Sequence, residues 1–254
     1  MTIQIPSILN NESFLIDENL IPWDETKIDY FTFDVQNEKL VDLLWKLNHK
    51  ATVGLATALS EWILWRFSKN RSLSGPLNAI EAMWLGLIDK HYLVSWNYDA
   101  PVGETIWKNI LWITFKSQFF IRSNYIKGDY QIQFRVMNLA MLARYITPNK
   151  TLFDSWFSDC LVRLTQFFPA QYDRGDVMSH PKNYPEFYDS SHEPPIPREF
   201  FFEPGFDYGK ADIDGLLSRF MTQVDHSNPK MFRTPKIMLE KGFVGIPYVY
   251  PQPK

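Results

Sequence analysis

Two glutamates, Glu61 and Glu81, stand alone among large apolar residues in segments whose side chains recur at helical spacing. Turned inward together, they could form a carboxylate pair for acid–base work or hold a dinuclear metal. The Glu-x-x-His pair that usually accompanies such metals in helical bundles is absent from the sequence. A buried carboxylate without a metal needs a cation, so the expectation is a polar network with Arg66, Arg122, Arg135 or Arg144. Glu61, Glu81, Arg66, Arg122 and Arg135 are therefore the candidates for any catalytic chemistry. No bound metal and no cofactor is expected.

A second group lies in the Pro-rich last third. His180, His192 and His226 occur near Asp173, Asp176, Glu186, Asp189 and Asp225. Imidazole with carboxylate suits zinc, iron or manganese, but the spacings match no compact metal motif, so capping or surface roles are expected. His49 and His91 are expected to pack at helix faces. The single cysteine, Cys160, excludes an internal disulfide framework and any multi-cysteine metal site. Its setting, Trp156-Phe157-Ser158-Asp159-Cys160-Leu161, reads as a small buried apolar residue and not as a nucleophile. There is no Gly-x-Gly-x-x-Gly, no Gly-Lys-Ser/Thr and no Gly-x-Ser-x-Gly, which leaves phosphate cradles and nucleophile elbows without a sequence basis.

The elements that must position these groups follow from periodicity. With 45% hydrophobic residues in 254, of which 16% of the chain is aromatic, the sequence belongs with globular proteins and has enough apolar mass for one large core. All nine tryptophans lie at or before Trp156, whereas twelve of seventeen prolines lie at or after Pro169. Helices are expected over 36–69, 77–92, 104–124, 131–146 and 152–168, with the 104–124 helix apolar on all sides and hence central. Ala51, Gly54 and Ala58 would allow a close approach to the first of these helices. The fold expected is all-α: about five main helices in a bundle (35–168), an extended acidic arm before it (1–34), and an extended Pro- and aromatic-rich strap wrapping it (169–254). The whole is read as one domain. Within the strap, helices are expected over 213–223 and 234–241, the second ending at Gly242, while Glu193-Pro194-Pro195-Ile196-Pro197 should be extended.

Charge is distributed unevenly. Residues 1–34 carry −6, residues 35–168 carry +5 and residues 169–254 carry −2, which sum to the net −3. Between 108 and 150, Lys108, Lys116, Arg122, Lys127, Arg135, Arg144 and Lys150 face Asp129 alone. Either the acidic arm folds back on this segment or an anionic partner meets it. Nucleic acid is disfavoured as that partner, because the chain as a whole is acidic and the aromatics of the segment are assigned to the core. No uncharged apolar run approaches the roughly 20 residues of a membrane span, and the first residues lack a basic region followed by an apolar run, so a cytoplasmic protein is expected. Function is read as non-catalytic binding of a protein partner or of further copies of the chain, in the manner of an adaptor or a toxin-neutralising protein. The alternative is an enzyme with a pocket between bundle and strap that uses the buried Glu and Arg residues or the strap histidines.

Overall fold

The computed structural model describes residues 4–10, 14, 21, 23–24, 37–68, 73–94, 105–129, 131–171, 192–224, 226 and 231–243. Among these residues the fold is all-α, with nine α-helices and no strand. The helices are α1 (Glu38–Leu44), α2 (His49–Trp65), α3 (Ser74–Ile88), α4 (Ile106–Lys127), α5 (Gln133–Ile146), α6 (Lys150–Phe167), α7 (Glu199–Phe202), α8 (Ile213–Gln223) and α9 (Pro235–Glu240).

The centre of the molecule is α2. All 17 of its residues are buried, and it packs against α3, α4 and α5. Its few hydroxyls are satisfied within the helix: Thr52, Thr57 and Ser60 donate to the carbonyls of Asn48, Val53 and Ala56 at 2.8–2.9 Å. The Gln118 amide of α4 donates to the Ala56 carbonyl at 2.9 Å and to the Ser60 hydroxyl. Polar groups can occupy a fully buried helix only when bonded in this way.

The long helix expected over 36–69 is thus two helices. Leu47 and Pro169 form an isolated antiparallel bridge, in which the Asn48 amide donates to the Phe168 carbonyl at 2.9 Å and the Ala170 amide to the Lys46 carbonyl at 2.8 Å. That pairing takes the backbone out of the helical ladder. Asn48 then restarts it, its side-chain oxygen accepting from the Ala51 amide at 2.8 Å. The apolar spacing runs through the break without losing register, which conceals it in the sequence. Centrality also moves: α2 is enclosed on every side, whereas α4 leaves one face open, with Trp112 and Phe119 half-buried and Phe120 exposed.

Other boundaries follow local chemistry. Pro76 sits in the first turn of α3, Thr105 caps α4, and Gly128 ends α4 in the left-handed region at φ 76°. Asn149 caps α6, and Lys150 Nζ donates to the carbonyls of Arg144, Tyr145 and Thr147, closing the C-terminus of α5. Asp212 and Thr234 cap α8 and α9, and Gly242 follows α9 with φ 77°. Residues 194–197 carry no regular secondary structure, Glu193 lies in a bend, and the short α7 that follows was not expected. Ile196, Phe200, Phe201 and Phe202 are buried in the same apolar cluster as the residues of α2 and α3. No helix among the described residues is long and apolar enough to cross a membrane.

Candidate functional site

Glu61 lies about one turn before the end of α2 with no exposed surface. One carboxylate oxygen accepts from Trp65 Nε1 one turn along the same helix, and the other accepts from Trp84 Nε1 of α3, each at 2.9 Å. The cation is Arg198, carried by the chain immediately before α7. Its Nε lies 3.0 and 2.9 Å from the two oxygens, and its Nη2 donates to the first. A carboxylate offers about four lone-pair directions, and here five donor contacts fill them. Arg198 Nη2 also donates to the Gln4 carbonyl at 2.7 Å, and the guanidinium lies 5.2 Å from the centroid of the Phe202 ring. Burial by itself would lower the Arg198 guanidinium, but the charge and hydrogen bonds of Glu61, with the charges of Glu199 and Glu81, outweigh it and raise it above its ordinary value.

The two glutamates singled out by sequence are therefore both felt by one guanidinium. Glu81 is buried on α3. The cation differs from those the sequence nominated. Arg66 is buried and turns to the end of α5, where its Nε donates to the Ile146 carbonyl at 3.1 Å. Arg122 is buried on α4, and desolvation pulls its guanidinium down to about 10. Arg135 lies over the Phe120 ring at 4.2 Å, and Arg144 makes a two-point pair with Asp154 at 2.7 and 3.0 Å. Nothing local in the sequence pairs Arg198 with Glu61; it stands two residues before Phe200-Phe201-Phe202, separated from them by Glu199.

A second carboxylate from the same segment also reaches α2. Glu193 accepts the His49 and Lys50 amides at 3.1 and 2.6 Å, and Lys50 Nζ donates to the Glu193 carbonyl at 2.6 Å. An anion at a helix N-terminus meets free amides and the positive end of the helix dipole. Burial pushes the Glu193 carboxyl above its ordinary value, and the two amide hydrogen bonds partly oppose that. The segment is thus tied to both ends of α2, at the first turn through Glu193 and near the last through Arg198.

The metal reading of the histidines is not assembled here. His180 lies outside the described residues. His192 is exposed, and His226 contacts the Met221 carbonyl at 3.2 Å while its ring meets Phe232 edge-on. Among the described residues no three His, Cys, Asp or Glu side chains come together as a metal-binding group. His91 has Asp89 at 2.8 Å from its Nδ1 and lies against Phe243. His49 is fully buried edge-on to Tyr125, and desolvation, helped by the charge of Lys90, pulls it down to about 3. Burial pushes the Cys160 thiol up to about 12, which leaves it a packing residue.

Chemically, the Glu61 centre is a closed clasp. A general base must present an unfilled lone pair to substrate within hydrogen-bond reach, and each oxygen of Glu61 is already occupied by tryptophan and arginine. No protein-family model, curated protein or solved structure matches this chain.

Proposed function

We propose that the protein is a non-catalytic, cofactor-free binding protein of the cytoplasm, an adaptor or toxin-neutralising type of molecule, built as a five-helix bundle fastened by its C-terminal strap. The observation that carries this reading is the saturated Glu61 carboxylate. The acid best placed for chemistry is spent holding Arg198, and so supports architecture over turnover. An enzyme using Glu61 would have to break a buried ion pair to free its base, which makes the catalytic reading the poorer one.

Ile196 and Phe200 to Phe202 are buried in the core, so these side chains do not form a recognition arm. Recognition then falls to the outer surface of the bundle. The test is native mass spectrometry of tagged protein purified from its own cells at low salt. A stoichiometric protein partner is the expected result. A retained metabolite or metal ion with no protein partner would overturn the reading.

A further inference from the structure

We propose that the outer face of α4 docks an acidic segment of a partner protein that also carries apolar side chains. This rests on the binding-protein reading above and names the surface and the partner's chemistry. Lys108, Trp112, Lys116, Phe119, Phe120 and Lys127 fall within about 120° of arc at 100° per residue. All of them are half-buried or exposed, while the opposite arc of the helix is buried. Phe120 keeps 36% of its surface in solvent. Neither α4 nor α5 contains an acid; the only one from 105 to 149 is Asp129, whose carboxylate caps the Gln131 amide at 3.0 Å.

The cations and rings of this face are interleaved. Lys116 Nζ lies 4.3 Å from the Trp112 ring centroid, and Arg135 of α5 lies 4.2 Å from that of Phe120. Such pairs hold charge flat against aromatic surface, so that a partner meets both at once. Aromatic and arginine side chains on two helices that themselves carry no acid resemble the anchors of a protein interface.

Charge decides the occupant. A second copy packed through this same face would set cation against cation. Nucleic acid draws its affinity from releasing counterions at many phosphates, but this face offers few cations and the chain has a net charge of −3. An acidic segment with apolar side chains satisfies both components, the lysines by pairing and the rings by burial.

The test uses the full chain and measures fluorescence anisotropy with three labelled probes: a random glutamate–tyrosine copolymer, polyglutamate, and a 20-mer of deoxythymidine. We expect saturable binding of the copolymer, tighter than either other probe. Lys116→Glu/Lys127→Glu should weaken it at least tenfold with an unchanged thermal transition, because both lysines are exposed, and Phe120→Ala should weaken it severalfold. Absence of saturable copolymer binding, indifference to the charge reversal, or tighter binding of the oligonucleotide would each overturn the proposal. Partner capture separates this failure from that of the broader reading. If Lys116→Glu/Lys127→Glu still retains a stoichiometric protein partner, the α4 surface falls and the binding function stands; if the unaltered chain retains only a metabolite, the function itself falls.

Discussion

Glu61 and His49 show two ways in which one helix carries ionisable groups through a core. Glu61 is paired with Arg198, whereas His49, held at about 3 by burial, stays neutral. The sign of the His49 effect follows from proton counting. Its ordinary value is 6.5, so between about pH 6.5 and 3 the unfolded chain binds a proton that the folded chain does not, and stability falls as pH falls. The limiting slope is about 1.4 kcal/mol per pH unit. Glu193 acts in the opposite direction: its raised carboxyl favours the folded chain as pH drops from that raised value to the ordinary one. The His49 contribution is isolated by comparing urea unfolding of the protein and of His49→Gln across this range. We expect a shallower acid dependence in the variant, whatever its absolute stability; parallel profiles would show that His49 does not titrate between the states.

At the level of elements, Gly54 of α2 leaves room for Phe201. A Cβ there would stand 3.0 Å from Cζ of Phe201 and 3.3 Å from a methyl of Leu87. The small residues Ala51, Gly54 and Ala58 predict a close approach, and at Gly54 the approaching groups are Phe201 and Leu87 of α3. We expect Gly54→Val to cost about 1–3 kcal/mol by overpacking, read as a lower urea midpoint with an unchanged slope; a midpoint equal to or above that of the parent would contradict the seating of Phe201. Most helices were legible because apolar period and caps coincide, as at Asp212 with α8. The break at 45–48 was not, since it is imposed by the return of the chain at 168–170 across 120 residues of sequence. The rank of α4 was misread for a different reason. Trp112, Phe119 and Phe120 look like core residues by type, and only the placement of neighbours shows that they face outward. Of the site, Glu61 and Glu81 were legible as acids in apolar helices; Arg198 and Glu193 were not, because pairings 137 and 144 residues apart leave no local pattern.

Over the whole molecule, the segment 192–202 joins parts of the chain that are distant in sequence. Glu193 seals the start of α2, Phe201 fills the gap at Gly54, and Arg198 closes on Glu61 while reaching the Gln4 carbonyl at the other end of the chain. Trp156 Nε1 of α6 adds a bond to the Phe201 carbonyl at 2.7 Å, and Arg163 one to that of Phe200 at 2.6 Å. A buried pair adds little net stability when compared with apolar replacements of both members, but removing one member strands the other without its counter-charge. The most direct test of the clasp is therefore a double-mutant cycle of Glu61→Gln and Arg198→Met, followed by urea unfolding. We predict a loss of about 3–5 kcal/mol for each single change and a loss for the double variant well below their sum. Additive or negligible losses would show that Glu61 is not committed to Arg198, and would return it to the list of residues free to act on a substrate.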